Sequence, residues 1–138
     1  MANYYASSRT SYVKVKDKEK FSEWEKEVPG RLIMKEDKEH GTLYGFCFDD
    51  DDHGGIPDER WDDEKDDFIE FNICEEIQPH ISDGWAITFM EVGAEKLRYL
   101  VGRAVVVTPN TVEYYGLDQW VDETMKTLGN PHHTDILY

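Results

Sequence analysis

The chain has 138 residues and a mass of 16.2 kDa, a length that suits one domain able to bury a core without disulfide or metal staples. Its 30 acidic against 15 basic residues leave a formal net charge of −15, which argues against direct binding to nucleic acid or to an anionic membrane. Four Trp, eight Tyr and six Phe argue equally against wholesale disorder.

Tyr12, Val13 and Val15 alternate with Lys14 and Lys16, which predicts a first strand with one wet face. Asp17 then offers an N-cap, and Phe21, Trp24 and Val28 recur at helical spacing until Pro29-Gly30 stops the run. Residues 31–36 and 42–48, separated by a polar DKEHG turn, predict a strand hairpin. Asn72 and Glu75 have the spacing of a capping box, and Ile73, Ile77 and Ile81 share a face, so a helix is expected over residues 72–82. Pro79 removes a donor inside it, and the alternation Ile69, Phe71, Ile73 also permits a short strand first. Residues 85–92 and 97–107 read as central strands, and residues 111–115 as the last one. Leu117, Trp120, Val121, Thr124, Met125 and Leu128 then form a helical stripe that Gly129 ends. The order βαββαβββα predicts an α+β fold, a mostly antiparallel sheet with helices on one face. A single domain is expected over residues 1–138, with an acidic loop at 49–67 and an irregular tail at 130–138.

The charge is local. Residues 49–67 hold eleven acids, Asp49, Asp50, Asp51, Asp52, Asp58, Glu59, Asp62, Asp63, Glu64, Asp66 and Asp67, against Arg60 and Lys65, a net of −9. With Glu70, Glu75 and Glu76 the count to residue 76 is fourteen against two, so −12 of the −15 lies there. DDDDHGG resembles the start of a calcium-binding EF-hand loop. With Gly54 or Gly55 at the sixth position, however, the twelfth is Arg60 or Trp61, and the bidentate Glu is missing. No metal or other cofactor is expected. Too many carboxylates share one environment for an acid–base pair to stand out. A solvated loop serving solubility and a fixed binding surface both fit the composition. Ile56, Pro57 and Trp61 favour the second, since they can tie the stretch to the body.

Such a surface could imitate a nucleic acid. Double-stranded DNA carries about one charge per 1.7 Å of axis, or per 3.4 Å for each strand. Nineteen extended residues span about 65 Å, so a net of nine charges gives only about one per 7 Å. Mimicry therefore requires the stretch to fold compactly, to combine with Glu70, Glu75 and Glu76, or to be doubled in a homodimer. The candidate partner-binding residues are the eleven acids with Trp61 and Glu70. The expected partner is a basic, nucleic-acid-binding protein or effector complex.

Other candidates are weaker. His40, His53, His80, His132 and His133 are scattered, and no nucleophile elbow, P-loop or dinucleotide motif occurs. Ser7-Ser8-Arg9-Thr10 is a candidate phosphate cradle, although Arg9 more simply pairs with a carboxylate. Glu91, Glu95, Lys96 and Arg98, close together around a turn, are the alternative site, that of an accessory protein or small enzyme. Cys47 and Cys74 lie in apolar surroundings at no metal spacing and read as core thiols. MANYYASSRT lacks the features of a signal peptide and no apolar run has the length of a membrane span, so no membrane partner and a cytoplasmic, reducing location are expected.

NYYASSRTSYVKVKD, together with MEVGAEKLRYLVGRAVVV, resembles stretches of small acidic proteins encoded on phages, plasmids and conjugative elements. The resemblance implies a mobile-element setting in a host cytoplasm and carries no catalytic role. Small acidic proteins of such elements often inhibit restriction or CRISPR machinery, some by imitating DNA. The resulting expectation is a non-enzymatic, anti-CRISPR or anti-restriction inhibitor.

Overall fold

A computed structural model describes residues 5–48, 54–95, 99–129 and 132. Among them no helix is long and apolar enough to cross a membrane. The fold is α+β and follows the expected order, with one addition inside the acidic stretch. The elements are β1 (Tyr5–Thr10), α1 (Lys18–Glu25), β2 (Arg31–Asp37), β3 (Gly41–Phe48), β4 (Glu59–Asp62), β5 (Asp67–Glu70), α2 (Ile73–Ile77), β6 (Ile87–Glu95), β7 (Tyr99–Val107), β8 (Val112–Gly116) and α3 (Leu117–Leu128). Six strands form one sheet in the order β2-β3-β1-β6-β7-β8, and β4 and β5 pair separately. Every pairing is antiparallel.

The first strand differs from expectation. Residues 5–10 form β1 at the centre of the sheet, while the apolar residues Val13 and Val15 make only isolated bridges to Tyr44 and Ile81. Thr10 explains the shift: its hydroxyl accepts from the Phe46 amide at 2.8 Å and donates to the Ser11 carbonyl at 2.7 Å, so a side chain takes over the ladder and the chain turns out of it. Gly45 permits the crossing, because a Cβ there would sit 2.6 Å from the Ser11 carbonyl oxygen. The inward residues of β1 are Ser8 and Thr10, small and polar, which leaves no hydrophobic signature.

Alternation along β6 and β7 sends Ile87, Phe89, Val105 and Val107 into the core. α1 covers that face with Phe21, and α2 covers it with Ile73, Cys74 and Ile77. Asp17 caps α1 by accepting from the amides of Glu19 and Lys20 at 3.0 and 3.2 Å, and Asn72 caps α2 by accepting from Glu75 at 3.2 Å. The helix expected over 72–82 is shorter. After Ile77 the chain tightens into a 3-10 turn, Gln78–His80, around Pro79, and Ile81 then bridges to Val15. Phe46, Phe48 and Phe89 stack at 6.3 Å steps across the sheet.

The opposite face of the sheet carries no helix over most of its width, and α3 departs from the expected packing. Leu117 lies over Gly102 on that open face, where the first δ-carbon would be 2.3 Å from a Cβ added to the glycine. No residue of α3, Leu117 included, is buried. The expected irregular tail at 130–138 falls outside the described residues apart from His132.

Candidate functional site

The acidic stretch is held at its base by hydrogen bonds and apolar packing that use none of its own carboxylates. Asp49, Asp50, Asp51, Asp52 and His53 lie outside the described residues. The chain re-enters at Gly54, which is buried with φ +69° and approaches β1 so closely that a Cβ would stand 2.0 Å from the Ala6 carbonyl oxygen. Only glycine accepts both conditions. The Ser8 hydroxyl donates to the Gly54 carbonyl at 2.5 Å. Glu91, expected at a turn site, instead points inward from β6 with its side chain 6% exposed. Its Oε1 accepts from the Ile56 amide at 2.7 Å and from Arg103 Nη2 at 3.1 Å. On the other side of the hairpin, the Phe71 amide donates to the Asp58 carbonyl at 2.9 Å, and Phe71 is buried.

Between these anchors the expected acidic loop is, over its second half, an ordered hairpin. β4 and β5 pair Glu59 with Glu70, Arg60 with Ile69, Trp61 with Phe68 and Asp62 with Asp67. Asp62 Oδ1 accepts from the Glu64 and Lys65 amides at 2.9 and 3.4 Å, which forms the turn, and Asp66 closes it in the left-handed region at φ +52°. Asp tolerates that conformation better than most residues. The sequence pattern hides the hairpin because acids occupy both faces, so no apolar alternation shows.

Glu59, Trp61, Phe68 and Glu70 share the outward face and all four are exposed. Trp61 was expected to tie the stretch to the body; it does not. It is 47% exposed and meets the 58% exposed Phe68 edge to face, with ring centroids 5.3 Å apart. The Trp61 indole donates to Asp63 Oδ1 at 3.0 Å. Ile56, by contrast, does pack against the core. Phe68 was not among the expected contact residues. Its signal was its position, since Trp61 and Phe68 lie equally far from the middle of the turn and so pair across the hairpin.

Among the described residues, none of the carboxylates of residues 58–70 forms an ion pair; the ion pairs are Lys16–Asp83, Lys26–Glu23, His40–Glu39 and Arg103–Glu91. Residues 58–70 hold eight acids, Asp58, Glu59, Asp62, Asp63, Glu64, Asp66, Asp67 and Glu70, against Arg60 and Lys65, a net of −6. Four residues of strand at about 3.3 Å each, plus the turn and the base, give a body about 20 Å long, or about one net charge per 3 Å. That approaches the 3.4 Å spacing of one DNA strand. Of the acids expected to extend the surface, Glu75 is exposed, whereas Glu76 is half-buried and accepts from the Trp24 indole at 3.2 Å.

Of the alternative cluster, Glu91 alone has a described side chain. Glu91 is engaged with Ile56 and Arg103, and Lys96 and Arg98 lie outside the described residues, as does the side chain of Glu95. The candidate phosphate cradle is dispersed. Ser8 is committed to Gly54, Thr10 faces the core, and Arg9 packs over the Tyr12 ring at 5.7 Å. Among the described residues no group of three or more His, Cys, Asp or Glu side chains is placed to hold a metal ion. Cys74 is buried and its thiol is pushed up to about 11, first by desolvation, so it stays protonated at neutral pH; Cys47 is half-buried on the open face. Comparison of the chain with models of known families, with curated proteins and with solved structures returns no match.

Proposed function

We propose that the protein is a non-enzymatic inhibitor of a host nucleic-acid-targeting defence system, a CRISPR effector or restriction enzyme, and that its acidic hairpin occupies the groove that would receive DNA or RNA. The observation that carries this reading is the pairing of like charges. Glu59 faces Glu70 and Asp62 faces Asp67 directly across the hairpin, and each such pair costs about 0.2–1 kcal/mol. A loop serving only solubility gains nothing from ordering its carboxylates against one another. A surface presented to a basic partner does gain, because ordering brings the charges close to the spacing of a nucleic-acid strand and the partner supplies the missing cations. Trp61 and Phe68, exposed between Glu59 and Glu70, add an aromatic centre on which an arginine can stack.

The test is competition. Purified protein is added to nucleic-acid-bound and free effector complexes, and displacement of a labelled duplex is followed at low and high salt. The parent should displace the duplex, with an apparent affinity that falls steeply as salt rises. The variant with Glu59, Asp63, Glu64 and Asp67 all changed to Lys, which leaves Asp62 and Asp66 to make the turn, should fail to displace it while keeping its far-UV dichroism. Equal inhibition by parent and variant would refute the proposal.

A further inference from the structure

We infer that the open face of the sheet and the apolar side of α3 form a self-complementary interface, through which two copies of the chain pair about a twofold axis. The inference is independent of the acidic hairpin. On the open face Met90, Val92, Leu100, Val106 and Tyr115 are 40–54% exposed. They are contiguous by register, because Met90, Ala104 and Tyr115 form one row across β6, β7 and β8, and Val92 and Gly102 lead to Leu117 in the next. α3 adds Leu117, Trp120 and Val121, themselves 38–63% exposed. The Tyr115 hydroxyl, bonded to Glu123, ties the helix to this side of the sheet. A cleft of about 610 Å³ separates the first turns of α3 from β7 and β8.

Area argues for a second copy as the occupant. These eight residues leave about 700 Å² in water, most of it apolar, more than a monomer's usual largest patch of about 300–600 Å² and close to the share of about 800 Å² that one partner gives to a standard interface. A twelve-residue helix with no buried residue is also marginal in water and gains most from a surface that covers its apolar side.

Charge argues the same way. Residues 54–76, with ten acids against two bases, sit on the covered side, so two chains of net charge −15 approach with least repulsion through their open faces. The open face is itself polarised. Arg9 and Lys35 flank Tyr12 at the β1–β2 end, and Asp118 and Glu123 lie at the other end, on α3 against β7 and β8. A twofold arrangement lays the acidic helix of one copy over the basic end of the other, which is the self-complementarity that an isologous interface needs.

Sedimentation across a concentration series tests this. The parent should reach twice 16.2 kDa at micromolar concentration. Val92→Lys on the sheet and Trp120→Glu on the helix should each give monomers with unchanged far-UV dichroism, and Arg9→Glu with Lys35→Glu should weaken association at least tenfold. Should either apolar variant fold poorly, hydrogen exchange of the parent on dilution provides the readout: amides of β6, β7 and α3 should lose protection together as the dimer dissociates. A parent that is monomeric at every concentration overturns the inference. So does a dimer that survives either single apolar variant, or exchange that does not depend on concentration.

Discussion

Changing Glu59 and Asp67 to Lys should stabilise the fold while removing the acidic surface. Each substitution turns a pair of facing carboxylates, Glu59 with Glu70 and Asp62 with Asp67, into an opposite-charge pair. Cross-strand charge pairs carry about 0.2–1 kcal/mol of either sign. These groups are exposed and screened, so the lower half of that range applies, about 0.3–0.5 kcal/mol of repulsion removed and a similar attraction gained at each site. The two pairs lie at opposite ends and on opposite faces of the hairpin and share no partner, so their effects should add to about 1–2 kcal/mol. For a chain of this length that is a rise in Tm of about 4–7 °C. The substitutions also move the net charge from −15 to −11, two changes of +2 each, which relieves general self-repulsion. Glu27→Lys with Glu113→Lys makes the same change where no carboxylate faces another strand's carboxylate, and serves as the control. Thermal unfolding of parent, hairpin variant and control at low and high salt is the assay. The hairpin variant should exceed the control at low salt and converge with it at high salt. Equal stabilisation of the two, or destabilisation of the hairpin variant, would refute the pairing argument.

Glu91→Leu should cost about 2–3 kcal/mol, because the Ile56 amide loses a charged acceptor at 2.7 Å while Arg103, with 44% of its side chain exposed, is free to rehydrate. Urea unfolding measures the loss, and amide exchange at Ile56 should accelerate more than that at Phe46, deep in the sheet. His80 stacks on Trp24 at 4.9 Å, and its pKa is lowered below 6.5, chiefly by burial, against the opposing pull of Asp17. The folded state therefore binds its proton less readily than the unfolded state, so this contribution to stability is complete above pH 6.5 and is lost as pH falls through 6.5 towards the lower folded value. Replacing His80 by Gln should flatten the fall in stability over that window, as read by urea midpoints at successive pH values.

The strands with an apolar face were legible, since Ile87, Phe89, Val105 and Val107 alternate with exposed residues and Gly41 marks the β2–β3 turn at φ +81°. β1 was not, because its inward residues, Ser8 and Thr10, are buried by hydrogen bonding to Gly54 and Phe46 rather than by hydrophobicity. Tyr12, Val13 and Val15 carried the period-2 pattern, yet the chain at that point has already left the main ladder. The hairpin was hidden for a related reason: its turn depends on the single carboxylate of Asp62, which composition cannot distinguish from its neighbours. Glu91 showed its charge in the sequence but not its direction, and only the register of β6 sends it inward.

Anchoring and charge fall on different residues, and this separation gives the acidic hairpin its use. Four of the eight residues of β4 and β5 are acidic, types that disfavour strands, and an isolated two-stranded hairpin is marginal at best. Its order must come from the base, where Gly54, Ile56 and Phe71 are fixed by Ser8, Glu91, Asp58 and the core. Apart from Asp62 and Asp66, which make the turn, the carboxylates above that base contribute little to holding the fold and are held by it at close spacing. Losing an anchor therefore disperses the charges without removing any, whereas reversing a charge leaves the anchors intact. If the hairpin is the binding surface, Glu91→Leu and the fourfold Lys variant should both lose inhibition, the first with a loss of stability and the second without one. A solubility loop would keep its function in the first case, since its charge outside Glu91 is unchanged. Inhibition that survives Glu91→Leu while the Ile56 amide exchanges freely would show that fixed geometry is not what the partner reads.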